Sequence, residues 1–390
     1  MRLTLALLTL SACHAAAPAP SFVEHTLATD LKGGYQVVIA DMNHDGKPDL
    51  IALASGMKEL VWFENPTWER HVIAGNLSRM INVAAWDTDG DGIPELVLAS
   101  EFANEAKNSI GIMSVLTHNG DPRQPWTVKE IDRLTTSHRL RWADIDGSGK
   151  KVLVNAALTG AKAEKPDYRD NTPLVFYRPG EWKRELISDA NQGVVHGIFI
   201  SKWSKGSKAD DILTASFVGI HRYHLEKNGA WTRTEISKGD PAPWPQSGSS
   251  DIAIGNLKGK RFLAAIEPWH GNRVAVYHER SKDKFERQVI DKGLVDGHTI
   301  ATADLDGDGR DEIIAGYRGT GRSVYIYHSA SHSNDAKGDT WTRSPLDAGG
   351  MAAAACVTGD LNADGKIDIV CIGSATTNLK WYENTGGKTR

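Results

Sequence analysis

The chain is 390 residues long, 40% hydrophobic, 24% charged and 7% aromatic. That is too apolar for a disordered chain, and glycine does not fall at every third place as collagen requires. Forty-five basic against 49 acidic side chains leave a formal charge of −4, so no basic field draws nucleic acid over a broad surface. Thirty-eight glycines and twelve tryptophans instead suit many short strands, tight turns and an aromatic mark recurring in each structural unit.

Met1 to Leu10 sets one positive charge before a short apolar run. The run is too short to span a bilayer and reads as an export signal. It ends in Leu10-Ser11-Ala12-Cys13, which resembles the bacterial lipobox. The resemblance implies cleavage before Cys13, a lipid on its thiol and membrane contact through that lipid only. His14, rather than Asp, then implies carriage to the outer membrane, with the chain periplasmic or surface-exposed. Ordinary signal cleavage near Ala15 to Ala17 is the alternative. The expected organisation is signal 1–12, tether 13–20 and one folded domain over 21–390. Only Cys356 and Cys371 remain. They flank one predicted hairpin in a compartment where disulfides persist, and a bond or two buried thiols both stay open.

Seven copies of one unit follow. Four loops of alternating acids lead into apolar runs: DMNHDGKPDLIAL from Asp41, DTDGDGIPELVLA from Asp87, DLDGDGRDEIIAG from Asp304 and DLNADGKIDIVCI from Asp360. Weaker copies start at Asp144, Ser204 and Asn256. Between loops recurs an aromatic residue, then charges, then a β-branched pair, headed by Trp68, Trp126, Trp182, Trp231, Phe285 and Trp341. The seventh mark, Phe22 to Leu27, precedes the first loop. A linear array has no use for that offset. A ring does, because the N-terminal strand then completes the last blade. The expected fold is all-β, a seven-bladed β-propeller of four-stranded blades. Most of the recurring aromatics are read as packing between blades.

The acidic loops have a spacing that suits a hard cation. Asp41, Asn43, Asp45 and Asp49 offer oxygens at positions 1, 3, 5 and 9, as Ca²⁺ prefers. The same holds for Asp87, Asp89, Asp91 and Glu95; for Asp304, Asp306, Asp308 and Glu312; and for Asp360, Asn362, Asp364 and Asp368. An EF-hand would carry its last acid at position 12 between helices, so that reading fails. The loops and their blades resemble the FG-GAP or VCBS repeat family, found in integrin α-chain propellers and many secreted bacterial proteins. About four structural calcium sites are expected, with the remaining three loops weak or empty.

In such a ring, residues before each acidic loop and after each second strand meet at the mouth of the central channel, on the face away from the loops. His138 and His298 stand six residues ahead of their loops, and His196 falls near the same place. Glu101, His221, Glu267, Trp269, His270 and Arg318 are expected to converge from second-strand ends, with Arg139, Arg141 and Asp251 within reach. Trp269 and Trp244 lie off the aromatic register and are candidates for stacking on a sugar ring. The insertions 104–108 and 160–172 are expected to overhang the site, and a third runs over 331–339.

Such a cluster fits proton abstraction next to a carbonyl with arginine stabilising the enolate. It also fits Zn²⁺ or Mn²⁺ polarising the substrate, or a watered channel that only binds. The runs GHTIATADLDGDG from Gly297 and EPWHGNRVAVY from Glu267 resemble the propeller domain of aldos-2-ulose dehydratases. Those enzymes eliminate water from keto-sugars and carry cupin domains besides; the likeness here is confined to the propeller. It implies a carbon–oxygen lyase, of dehydratase or polysaccharide lyase type, acting on a carbohydrate or surface glycan; separately, the chain is expected to be a monomer. His298 is then the first candidate base, His138 and His196 acid or ligand, Arg318 the charge stabiliser, and Glu267 with His270 the orienting pair. Trp269, Arg139, Asp251 and His221 would bind substrate. The rival is a non-enzymatic surface module that binds protein or glycan.

Overall fold

The computed structural model describes residues 20–329 and 340–386. The export signal, Cys13, the tether through residue 19 and the insertion at 331–339 lie outside the described residues. Among the described residues, 28 strands form seven four-stranded antiparallel sheets. Blades 1 to 6 span 34–74, 82–133, 137–192, 195–237, 251–291 and 297–347. Blade 7 takes three strands from 353–384 and its outermost from Phe22–Ala28, which pairs with Leu379–Asn384. The displaced aromatic mark therefore closes the ring as its offset predicted. Cys356 and Cys371 oppose each other across the first two strands of that blade and are joined by a disulfide.

The second strand of each blade is a continuous apolar run because both its faces meet neighbouring blades. Asp49–Ala54, Val152–Ala157 and Asp368–Gly373 are buried at every position. Outer strands such as Trp231–Ser237 expose part of their residues and read as mixed polar sequence. Each blade junction carries one of the aromatic marks. Trp68, Trp126, Trp182, Trp231, Trp341, Phe22 and Phe285 fall one apiece into seven separate apolar clusters. The marks are packing residues.

Two devices hold the ring at its axis and at its loop face. The innermost strand of a blade leaves one edge unpaired, and its N–H groups need acceptors. Side chains of the preceding blade supply them: Gln36 accepts from Val83 N at 2.7 Å, Asn82 from Leu140 N at 2.9 Å and Thr299 from Cys356 N at 2.9 Å. On the loop face, the ninth-position acids are buried clasps. Asp49, Glu95, Glu312 and Asp368 accept the N–H of Met42, Thr88, Leu305 and Leu361 at 2.8, 2.8, 2.9 and 3.0 Å. Asp368 also accepts from Asn384 N at 2.8 Å, and the Asn384 amide donates to Leu305 O of blade 6 at 2.8 Å. These acids were expected to face an ion, yet much of their hydrogen-bonding capacity goes to backbone.

Within the loops, Asp87, Asp89 and Glu95 bring one oxygen each within 4.8 Å of one another, and so do Asp304, Asp306 and Asp308. In the Asp41 and Asp360 loops the first acid accepts the N–H groups of the fifth and sixth residues. Where the third and fifth blades lack a ninth-position acid, a neighbour supplies one. Asp210 accepts from Asp144 N at 2.8 Å and Asp311 from Asn256 N at 2.9 Å.

Replacing Asp368 by alanine strands two buried amides of the closing blade, so Asp368→Ala should lower unfolding free energy by about 2–4 kcal/mol. Urea denaturation checks this; a loss below about 0.5 kcal/mol, the range of ordinary surface changes, would mean that the clasp carries no weight.

Candidate functional site

Seven equivalent positions ring the mouth of the channel, and in five blades a β-bulge turns the side chain toward it. In blades 1, 3, 4, 6 and 7 the pairing of first and second strands skips one residue: Tyr35, His138, His196, His298 and Ala354. An extra residue in one strand re-aims its side chain. In blades 2 and 5 the corresponding positions are Ile81 and Ser250, whose N–H groups bond Ala99 O and Ile266 O. The bulge fixes the position of His196, whose loop spacing alone leaves it out of register with the others.

His138, His196 and His298 lie together, each with its ring centre 5.0 Å from another of the three. His270 joins them from the turn after the second strand of blade 5, with Nε2 3.2 Å from His196 Nε2. One nitrogen each of His196, His270 and His298 lies within 4.8 Å of the others. His298 Nδ1 donates to Ala354 O at 2.6 Å, so its Nε2 carries the lone pair, and that atom is buried without a partner. His196 Nδ1 meets the Ser250 hydroxyl at 3.2 Å. His270 Nδ1 lies 3.2 Å from both Asp296 Oδ1 and an Arg318 nitrogen. With Nδ1 protonated, His270 donates to Asp296 and its Nε2 lone pair faces that of His196. With Nε2 protonated, it accepts from Arg318 and donates to His196.

All four imidazoles are held neutral. Burial comes first, and the charge of Arg139, joined by that of Arg318 at His138 and His298, adds to it, pushing His138, His196 and His298 well below the usual range. His270 is pushed down to about 3 by burial and Arg318, against the opposing pull of Asp296. Arg139 contacts His138 Nε2 at 2.9 Å and His196 Nε2 at 3.4 Å. Arg318 is held by both oxygens of Asp296 at 3.1 Å. The Tyr35 hydroxyl sits 2.9 Å from His138 Nε2 and 3.3 Å from an Arg139 nitrogen.

Above the cluster opens a cavity of about 390 Å³, whose walls include Tyr35, Arg79, Phe102, Asn104, Trp269 and Arg318. Trp269 leans on His270 with ring centres 4.8 Å apart and leaves its indole N–H without a partner. Of the two overhanging insertions, the first supplies Asn104 to the wall. The second packs beside it, Lys165 meeting Glu105 at 3.0 Å. Glu101 pairs with Arg79 at the rim.

Other expected site residues lie elsewhere. Glu267 is buried under Tyr277, Ser249 and Arg287, which bonds it at 2.8 and 2.6 Å; it anchors the turn that carries His270 and does not line the cavity. His221 sits on the third strand of blade 4, because the second strand there turns back within two residues, Phe217 and Val218. Arg141 and Asp251 line a separate cavity beneath the histidines. Trp244 donates to Asp167 O at 2.8 Å and carries Arg169 over its ring, so it clamps an insertion. Sequence reasoning missed Tyr35, Ser250 and Asp296. The first two stand six residues before Asp41 and Asn256, the offset already applied to the histidines.

Comparison with known proteins agrees with this layout. Residues 41–98 and 304–371 match the FG-GAP-like repeat, and these stretches hold the four intact acidic loops. The chain is thus a seven-bladed β-propeller carrying FG-GAP-like repeats. Residues 111–280, which hold His138, His196 and His270, match the family described as aldos-2-ulose dehydratase, beta-propeller domain. Aldos-2-ulose dehydratase of Phanerodontia chrysosporium is 23% identical over 264 residues, 60% of this chain and 29% of its own length. The chain therefore spans under a third of that relative. A solved structure of BBS1N in complex with ARL6DN matches with a TM-score of 0.59 at 11% identity, over 96% of this chain and 99% of that one; at that identity the two share the fold alone.

His221 gives a clean pH signature, since it lies away from the cluster. Burial, then the charge of Arg233, lowers it from 6.5 to about 4. The unfolded chain therefore takes up a proton below 6.5 that the folded chain refuses until about 4. Stability is intact above that window and falls through it as pH drops, with a slope approaching about 1.4 kcal/mol per pH unit. In urea titrations from pH 7 to 4.5, His221→Gln should remove that part of the slope; an unchanged slope assigns the proton to another group.

Proposed function

We propose that the channel mouth is the active site of a metal-assisted carbon–oxygen lyase that removes water from a keto-sugar or uronate. The observation carrying this reading is the convergence of three neutral imidazoles, one with a buried, unpartnered Nε2 aimed into the group. His196, His270 and His298 would hold the ion. Three nitrogens with outer partners on Nδ1 suit Zn²⁺ better than a hard cation, and the Nδ1–H···Asp296 tautomer of His270 is the one that binds. Bound there, the ion would polarise the substrate carbonyl and acidify the neighbouring C–H.

The remaining steps belong to the chain. Arg318 and Arg139 flank the histidines and set positive charge where an enolate oxygen develops. The Tyr35 hydroxyl takes the α-proton as its own proton passes to His138 Nε2, a neutral acceptor 2.9 Å away. The same pair returns a proton to the departing β-hydroxyl, so water leaves and the carbon–carbon double bond forms. Trp269 and Phe102 present apolar faces to the sugar ring, while Arg79 and Asn104 meet its hydroxyls. His298, the first candidate base from sequence, becomes a ligand in this arrangement because its Nδ1 is committed to Ala354 O. The dehydratase relative supports the reaction class, its name describing the same chemistry.

In this reading the chain is exported, carries a lipid on Cys13 at the bacterial outer membrane, and is stabilised by Ca²⁺ in the four intact loops. Incubation of the zinc-loaded chain with an aldos-2-ulose should produce an enone, read by its ultraviolet absorbance. Tyr35→Phe should lower kcat/KM by about 10²–10⁴-fold, with zinc content unchanged. Asp296→Asn should weaken zinc about 10–100-fold in equilibrium dialysis. A wild-type chain that binds zinc but forms no enone from any keto-sugar or uronate would sink the lyase reading. Calcium is tested apart: removal with a selective chelator should lower the melting temperature, each site contributing about 2.7 kcal/mol at a hundredfold excess over Kd. A melting curve indifferent to calcium would remove it from the fold.

A further inference from the structure

Beneath the histidines the channel widens into a second cavity of about 590 Å³ that reaches the acidic-loop face. Its wall holds three cations, Arg139, Arg141 and Lys151, and one acid, Asp251. Most polar side chains along it are already spent on backbone. The Gln36 amide bonds both Val83 O and Val83 N, at 3.0 and 2.7 Å. Asn82 accepts from Leu140 N, Thr299 from Cys356 N, and Thr302 donates to Ile254 O at 2.6 Å. Asp251 accepts from Ile252 N at 3.0 Å and from the Ile300 amide of the next blade.

Arg141 is the exception. One of its terminal nitrogens is fixed by Leu140 O at 2.8 Å and by Asn82 Oδ1 at 3.3 Å. Among the described residues, its other terminal nitrogen and its Nε have no hydrogen-bond partner, and no ion pair reaches either Arg139 or Arg141. The free Nε–Nη edge is the planar fork that pairs with a carboxylate through two parallel bonds. The burial of Arg141, with Arg139 beside it, lowers its pKa to about 10 against the opposing pull of Asp251. At the outer end of the cavity Lys151 rests 3.5 Å above the ring of Trp86, which is 37% exposed. That places a positive charge where an anion would enter.

We propose that this lower cavity is a second ligand site, taking a small carboxylate from the loop face onto the free edge of Arg141. It does not depend on the mouth being catalytic. The carboxylate comes from one of two sources, a free small acid or an acidic sugar, and the chemistry that holds it is the same.

Calorimetric titration of the full chain at low salt, with acetate, D-glucuronate and D-glucose as probes, tests the site. Both carboxylates should bind saturably, more weakly as sodium chloride rises, and glucose should not bind with that salt dependence. Glucuronate at least tenfold tighter than acetate identifies the sugar acid; equal affinity identifies the free acid. Arg141→Met should cost at least tenfold in carboxylate affinity with zinc uptake unchanged. Asp251→Asn keeps the backbone acceptor, as Asn82 does in blade 2, and removes the opposing charge, so it should tighten the carboxylate severalfold. The proposal fails if neither carboxylate binds saturably, or if Arg141→Met binds as the wild type does. Should Arg141→Met not fold, an unchanged or weakened affinity in Asp251→Asn overturns it by itself.

Discussion

The unpaired inner edge of each blade is the constraint on which the centre of this protein depends. Seven strands present backbone N–H groups toward a narrow channel where water alone cannot serve them all, and a buried amide without an acceptor is costly. In four blades the side chain that follows the mouth position accepts from the following blade. Gln36 and Asn82 do so with an amide oxygen, Asp251 with a carboxylate and Thr299 with a hydroxyl. Blades 3, 4 and 7 place Arg139, Gly197 and Ala355 there instead. Arg139 turns its guanidinium up to the histidines, and Gly197 leaves room for Asp251, whose carboxylate would sit 2.8 Å from an added Cβ. Function and structure thus share one register position, and a blade serves one or the other.

Much of this was legible in the sequence because the repeat imposes periodic chemistry. An acid cluster, a glycine turn and an apolar run recur wherever an inner strand bends back, and the aromatic marks recur wherever blades meet. The six-residue offset from the loops marks His138 and His298, and it marks the hydroxyl-bearing Tyr35 and Ser250 equally. The limits were equally physical. Glu267 has the look of a catalytic acid, yet Tyr277 and Arg287 cover it, contacts that depend on a neighbouring strand and cannot be read from its own segment. His221 was misplaced by a turn of two residues in blade 4. Asp251 and Arg141 share a strand register with Arg139, and only the depth of the channel separates their cavity from the mouth.

The electrostatics of the mouth follow from how its groups are grouped by sign. Two arginines stand against four imidazoles, so protonation of any ring is opposed by its neighbours as well as by burial. The histidines consequently keep their lone pairs at neutral pH, and among the described residues Asp296 is the single carboxylate in direct contact with them. One acid both orients His270 and neutralises Arg318. A neutral nitrogen cluster inside a cationic rim is an environment for an electron-rich oxygen, whether that oxygen belongs to a carbonyl, an enolate or water.

Closure by Phe22–Ala28 has a topological corollary. Ser21 O accepts from Thr385 N at 2.8 Å, so the first and last described strands run side by side at one seam. All seven junctions between blades are crossed by continuous chain, and the seam lies inside blade 7, between Leu379–Asn384 and Phe22–Ala28, held by hydrogen bonds and packing alone. The blades therefore have an order around the circle but no physical beginning. Joining the two ends of the seam and cutting between any pair of blades gives a rearranged chain with the same neighbours throughout, and the point of cutting becomes a free choice along the ring.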